Sequence, residues 1–168
     1  IGTHSDLEYS TAPRLTANLG FNYQGKRLDA ASNANINQIL TGTTGLQFRH
    51  RGFSLNAEGY AKRTSFADRG TASAAVVPSL NLTDYGYYLT SGYFLVPKKL
   101  EAAGTWSYIR RKGPDNDSYQ LGGGLNYYLH GRDLKLTLQY TRSTFYQDIV
   151  GTRNRNLNQV IFGVNALF

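Results

Sequence analysis

The stretch of residues 118–141 constrains the fold of this chain more than any other part of it. It reads SYQLGGGLNYYLHGRDLKLTLQYT, and apolar residues alternate with polar or small ones along both arms. A period of two is typical of a β-strand with one apolar and one polar face. The polar, glycine-containing link at residues 130–133 suits a tight hairpin. Arms of about 9–12 residues are longer than most soluble strands, and they match the ~9–11 residues with which a tilted strand crosses a bilayer.

The same alternation recurs along the chain and predicts eight strands. They cover residues 15–23, 40–50, 53–62, 85–95, 100–108, 118–129, 134–141 and 160–168. The connections after strands one, three, five and seven are long, and those after strands two, four and six are short, as in outer-membrane barrels. We therefore predict an all-β fold, an antiparallel up-and-down transmembrane β-barrel over residues 14–168, preceded by a lead-in segment of residues 1–13.

Two features of this prediction have alternatives. A soluble, lipocalin-like barrel would turn its apolar face inward around a ligand, but strand length, loop alternation and aromatic strand ends favour the membrane barrel. The longest break, residues 64–83, either folds inward as a constriction or packs on the barrel rim. Because Ile1 rather than Met opens the sequence, we also expect a processed protein or a piece of a longer one.

Composition narrows the function classes. The chain has 168 residues, about one domain, and no cysteine, so it has no thiolate metal site. Three histidines occur without a GxSxG, HExxH or paired metal spacing, so we predict that the protein is not an enzyme and needs no cofactor or metal. The net charge of +7 favours anionic partners, but no nucleic-acid motif accompanies it, and no nucleic-acid partner is expected.

Charged and aromatic residues supply the candidate site. Basic residues near the long loops predict a mouth that concentrates anions, although they would equally bind lipopolysaccharide phosphates or remain solvated. The residues predicted to contact anions or solutes in the lumen and mouth are Lys62, Arg110, Arg111, Arg142 and Lys135. Aromatic girdles mark the two bilayer interfaces of a barrel. The residues assigned to the girdle are Tyr85, Tyr87, Trp106, Tyr108, Tyr127 and Tyr140.

The polar face of the predicted strands would form the lumen wall. It carries many Asn, Gln and Thr side chains and few charges, which suits water. Gly122 and Gly124 lie on this face, where small residues either widen the lumen or accept a bulky side chain from a neighbouring strand.

A family resemblance rests on residues 84–168. The turn GYFLVPKKLE, the strand end LGGGLNYYLHG and the strand LKLTLQYT resemble the C-terminal part of the phosphate-selective porin O and P family. Residues 1–83 follow that family only in general pattern. The resemblance implies a sixteen-stranded, often trimeric channel, and it implies that the terminal Phe168 is an address read by the barrel assembly machinery. The selectivity lysines and arginines of that family do not map onto this sequence residue by residue, so phosphate selectivity is not carried over.

Together these patterns predict a porin-like channel in the outer membrane of a Gram-negative bacterium, for passive diffusion of small polar solutes with an anion bias. The alternative is a non-conducting, eight-stranded structural or interaction barrel that acts through its loops or a partner. About eight strands leave an interior filled by side chains, whereas about sixteen leave a channel. The expected partners are outer-membrane lipid and lipopolysaccharide, the barrel assembly machinery, and either further copies of the chain, such as a trimer, or a second barrel segment.

Overall fold

The computed structural model describes residues 9–28, 34–72, 77, 79–111, 117–130, 134–146 and 155–166. These residues form nine β-strands, of which eight are long and one has two residues. The strands are β1 (Arg14–Gln24), β2 (Arg27–Leu28), β3 (Asn35–His50), β4 (Phe53–Asp68), β5 (Asn81–Val96), β6 (Leu100–Arg110), β7 (Ser118–His130), β8 (Leu134–Phe145) and β9 (Arg155–Ala166). No helix occurs in the described residues, and none there can therefore span a membrane.

All strands belong to one antiparallel sheet of up-and-down order, β1-β3-β4-β5-β6-β7-β8-β9. The short strand β2 pairs with β3 beside the end of β1. The link between β3 and β4 is the two-residue turn Arg51-Gly52, in which both residues have positive φ, 46° and 80°. This conformation matches the twist of a hairpin and explains the glycine. The all-β, antiparallel, up-and-down prediction with eight long strands is confirmed.

Several strands extend beyond the predicted bounds. The segment between the first two predicted strands contains β2 and the start of β3, and the predicted break at residues 64–83 shortens to residues 69–80. The added strand ends are mixed in character, with buried Ile36 and Ile39 beside polar residues. Asn35 Nδ2, for example, donates to both carboxylate oxygens of Asp68 across the β3–β4 ladder, at 2.8 and 3.0 Å. The pairing of β3 with β4 is irregular between residues 35 and 38, so the apolar alternation that reveals the middle of each strand is lost there.

The two faces of the sheet have opposite chemistry. The face with Leu19, Phe21, Val160 and Phe162 is apolar and exposed, with 70% or more of each of these side chains accessible. We call it the outer face, and the opposite one the inner face. On the inner face, most burial falls on polar residues; the most enclosed are Ser54, Thr90, Glu101 and Asn126, each at most 1% accessible. A buried polar face and an exposed apolar face are the reverse of the arrangement in a soluble barrel around an apolar ligand.

The sheet has two edges in the described part of the chain. Strands β1 and β9 lie at opposite ends of the order and do not pair with each other. All but one residue in each is exposed, on both faces of the strand. Closure into a barrel is therefore not seen.

Candidate functional site

The inner face is the candidate site, and pairing across the strands arranges it in rows. One row crosses seven neighbouring strands and consists of Gln47, Asn56, Thr90, Thr105, Gly122, Thr141 and Gln159. Within it Gln47 Nε2 donates to Asn56 Oδ1 at 2.8 Å, and Asn56 Nδ2 donates to Thr90 Oγ1 at 3.4 Å. We call this row the polar belt. It divides the inner face into a half toward the short turns and a half toward the long loops.

The short-turn half is packed around one buried carboxylate. Glu101 is 1% accessible, and its Oε2 accepts hydrogen bonds from Tyr128 Oη at 2.5 Å and from Asn126 Nδ2 at 3.1 Å. Thr137 Oγ1 donates to Asn126 Oδ1 at 2.8 Å, which extends the network to β8. The ring of Phe94 covers Tyr128, with centroids 5.5 Å apart. Because buried charges require such partners, this network fixes the side chains of four strands in one arrangement.

The long-loop half contains a cavity of about 620 Å³. The row next to the polar belt includes Asn18, Gly45, Glu58, Tyr88 and Ser107, and the row after it includes Gly20, Thr43, Tyr60, Gly86 and Ile109. In both rows a glycine lies beside a larger side chain, with Gly45 next to Asn18 and Gly86 next to Tyr60. The cavity is bordered mostly by larger side chains of the inner face, and the outer-face row contributes Thr44, Gly59 and Tyr87 to its border. The inner-face residues are Asn18, Thr41, Thr43, Glu58, Tyr60, Tyr88, Ser107 and Ile109.

The five cations predicted to contact anions divide between the two faces. Lys62 and Arg111 lie at the long-loop end of the inner face. Lys62 is directly opposite Asp84 on the neighbouring strand, and Arg111 is close enough to interact electrostatically with Tyr60. Lys135 is also on the inner face, but it is 8% accessible in the packed half and within the field of Glu101.

Arg110 and Arg142 lie on the outer face, so the lumen placement does not hold for them. The guanidinium of Arg110 lies 5.8 Å from the ring centroid of Tyr85, and its Nη1 donates to the Tyr85 hydroxyl at 3.1 Å. Arg142 is exposed and pairs with the outer-face residue Leu121. Arg110 follows Tyr108 by two residues, and Arg142 follows Tyr140 by two residues. Each arginine therefore points to the same face as its outward tyrosine.

The aromatic residues assigned to the girdle all lie on the outer face. Four of them, Tyr85, Tyr87, Trp106 and Tyr108, form one cluster on β5 and β6, with centroid distances of 5.3–6.2 Å. Tyr127 lies toward the short turns, and Tyr140 lies in the middle of β8, where its hydroxyl donates to Asn158 at 3.0 Å. Phe168, the predicted assembly signal, falls outside the described residues, as does part of the lead-in segment.

The glycines on the inner face resolve two open alternatives. A Cβ at Gly122 would lie 2.8 Å from Thr105 Oγ1 and 3.2 Å from Thr141 Oγ1, so neighbouring side chains already fill this space. A Cβ at Gly124 would meet the backbone of β8 at the Leu138 carbonyl and at Gln139 Cα. The glycines therefore serve packing between strands and do not widen the lumen.

The loop at residues 69–80 is tied back to the sheet where it is described. Arg69 Nε donates to the Val77 carbonyl at 2.9 Å, and Phe66 N donates to the Leu80 carbonyl at 2.8 Å. Val77 is 2% accessible. Most of the apolar patch at residues 74–78 lies outside the described residues, so the choice between a rim position and a constriction stays open.

Sequence reasoning missed the two centres of the inner face. Alternation along the strands puts Glu101 and Asn126 on the polar face, but it does not indicate which residues enclose Glu101, and the roles of Phe94 and Tyr128 were not predicted. The Tyr60 and Tyr88 rings beside the cavity were missed as well. The alternation along their strands could have shown that Tyr60 and Tyr88 point to the polar face, opposite to the girdle tyrosines.

Comparison with known proteins does not assign a role to the inner face. No family model, no curated protein and no solved structure matches the chain. The resemblance to the phosphate-selective porins therefore stays a prediction. Among the residues the structure describes, no group of His, Cys, Asp and Glu is arranged to hold a metal ion.

Proposed function

We propose that this chain forms part of a porin-like β-barrel channel in the bacterial outer membrane, through which small polar solutes diffuse passively with an anion bias. One observation carries the proposal: an exposed apolar face and a buried polar face on the same set of long antiparallel strands. In lipid, outward apolar and inward polar residues are the stable arrangement for a spanning sheet.

Strand length and aromatic residues support the membrane setting. The long strands have 11 to 16 residues, enough to cross a bilayer when tilted. The cluster of Tyr85, Tyr87, Trp106 and Tyr108 ends at Arg110, and such a combination of amphipathic rings and a cation suits the headgroup region. Outer-membrane lipid, lipopolysaccharide and the barrel assembly machinery are the partners that this setting implies.

The two sheet edges support a barrel larger than eight strands. Unpaired backbone groups are too costly in lipid for β1 and β9 to remain edges. Strand β1 runs from the short-turn side to the long-loop side and β9 runs in the opposite direction, so a further up-and-down set of strands can pair with both. Those strands would come from another segment of the same polypeptide or from a second copy. About sixteen strands would enclose water.

A non-conducting eight-stranded barrel is the rival function. The packing around Glu101 favours it, because small barrels fill their interior with side chains. The separation of β1 and β9 argues against it. The porin proposal therefore remains the better supported of the two.

Cross-linking separates the two functions. The chain has no natural cysteine, so Asn18→Cys in β1 and Ile161→Cys in β9 can be joined with a short bis-maleimide in the membrane-inserted protein. We expect no link within one polypeptide, because further strands lie between β1 and β9. Gln120→Cys with Ser143→Cys is the positive control, since these side chains face each other at 3.3 Å across β7 and β8. An efficient β1–β9 link within one chain would favour the eight-stranded rival.

Channel recordings test the anion bias. The protein, purified from the membrane and inserted in planar lipid bilayers, should conduct, with a reversal potential in a salt gradient that indicates anion preference. Replacing Lys62 and Arg111 by Gln should lower the anion-to-cation permeability ratio by about fivefold for each charge removed, because a charge at contact distance in water is worth about 1 kcal/mol. The matched control is Arg110→Gln with Arg142→Gln, which removes the same charge from the outer face.

Two results would contradict the proposal. Absence of conductance would reject the channel, and a cation-preferring reversal potential would reject the anion bias. If the control pair shifted the reversal potential as much as the Lys62 and Arg111 pair, the assignment of selectivity to the inner face would be wrong.

A further inference from the structure

Two glycines, Gly86 and Gly45, make room for neighbouring side chains along the wall of the cavity in the long-loop half. The Tyr60 ring lies over Gly86, because a Cβ built on Gly86 would come within 2.7 Å of Tyr60 Cε1. The Asn18 amide occupies the corresponding space over Gly45, where a Cβ would come within 2.6 Å of Asn18 Oδ1. These side chains consequently lie along the wall and leave the space above them open.

Aromatic rings and hydrogen-bonding groups share this cavity. Tyr88 presents its ring toward the open space, with 39% of the residue accessible, and Tyr60 is its neighbour one row away. The polar groups on the border are the amide of Asn18, the hydroxyls of Thr43 and Ser107, and the carboxylate of Glu58. A volume of about 620 Å³ lies within the ~300–1,000 Å³ of small-molecule sites.

Charge narrows the ligand class. Glu58 is the charged residue on the border of the cavity, so an anion there meets a carboxylate. A cation that enters from the long-loop end passes Lys62 and Arg111, whose two charges the single carboxylate of Asp84 offsets only in part. A neutral ligand is repelled by neither set of charges. A ring with C–H groups on its face and hydroxyls around its edge can also stack on an aromatic side chain and form hydrogen bonds with the surrounding hydroxyl, amide and carboxylate groups.

We propose that this cavity is a binding site for a neutral sugar of monosaccharide or disaccharide size. The inference rests on the proposed function in that the cavity opens into the lumen of the channel. Tyr88 is the stacking platform, Tyr60 forms the adjoining wall, and Glu58 accepts hydrogen bonds from sugar hydroxyls. A weak site of this kind along a channel favours the passage of its ligand over other solutes of equal size.

The test measures the binding of maltose to the detergent-solubilised protein by saturation-transfer NMR. Saturable binding is expected, and Tyr88→Ala should weaken it about three- to tenfold through loss of the ring contact. Tyr88→Phe, which keeps the ring, should bind maltose within about twofold of the parent. Tyr88→Leu keeps apolar bulk without a planar face and should resemble Tyr88→Ala. The matched control is Tyr127→Ala on the outer face, which should leave binding unchanged.

Several results would overturn the sugar site. They are the absence of saturable maltose binding, tighter binding of choline or gluconate than of maltose, or equal affinities in the parent and in correctly folded Tyr88→Ala. Parallel bilayer recordings separate this inference from the channel proposal. Conductance without maltose binding rejects only the sugar site, whereas maltose binding without conductance supports the site and rejects the channel.

Discussion

Replacing Gly124 by Ala is expected to destabilise the folded protein by about 3 kcal/mol, the cost of overpacking at a site that cannot relax. The added Cβ would meet the Leu138 carbonyl and would lie 3.1 Å from Gln139 Cα. These atoms belong to the backbone of β8, so no rotamer change removes the clash. The β7–β8 ladder would have to separate locally, with loss of backbone hydrogen bonds.

The two preceding glycines provide a graded control. At Gly123 on the outer face, the nearest atom to an added Cβ is the Ala103 carbonyl oxygen at 3.8 Å, an ordinary contact, so Gly123→Ala should change stability by about 0.5 kcal/mol or less. At Gly122 the closest atoms are the hydroxyls of Thr105 and Thr141, which can rotate, so Gly122→Ala should fall between the two. Urea unfolding in phospholipid vesicles measures the series, and equal costs at Gly123 and Gly124 would contradict the close approach of β7 and β8.

The strands could be predicted from the sequence because lipid and lumen impose opposite chemistry on alternate residues. Where that contrast ends, prediction failed. The start of β3 and the end of β4 still carry apolar residues, such as the buried Ile36 and its partner Phe66, but irregular pairing between residues 35 and 38 breaks the two-residue alternation. Backbone pairing and the Asn35–Asp68 hydrogen bonds hold these ends together, and a broken alternation leaves no periodic signal in the sequence.

The placement of the cations shows a second limit. Grouping charges by their closeness to long loops put Arg110 and Arg142 at the lumen mouth, although their parity with Tyr108 and Tyr140 puts them on the outer face. Parity was therefore the better predictor within a strand. It does not extend to burial, because Glu58 and Glu101 share the inner face, yet Glu58 is exposed and Glu101 is 1% accessible. That difference depends on which side chains the register brings beside each carboxylate.

Glu101→Leu is the second large expected effect, a loss of about 3 kcal/mol of folding free energy. The substitution removes the acceptor of the Tyr128 and Asn126 hydrogen bonds and leaves both donors in a buried site. It also removes the carboxylate whose field acts on Lys135, a cation that is 8% accessible. The same substitution at exposed Glu58 is the control and should cost about 0.5 kcal/mol or less.

A double variant identifies which part of this loss is electrostatic. Replacing Lys135 by Leu in the Glu101→Leu background removes the uncompensated buried charge, so the double variant should recover about 1–2 kcal/mol relative to Glu101→Leu alone. Glu101→Gln, which keeps an acceptor oxygen for Tyr128, should cost less than Glu101→Leu. Urea unfolding in vesicles measures all four proteins beside the parent. If Glu101→Leu cost no more than Glu58→Leu, the packed half of the inner face would be held by its apolar contacts, such as Phe94 on Tyr128, and the carboxylate would be dispensable for the fold.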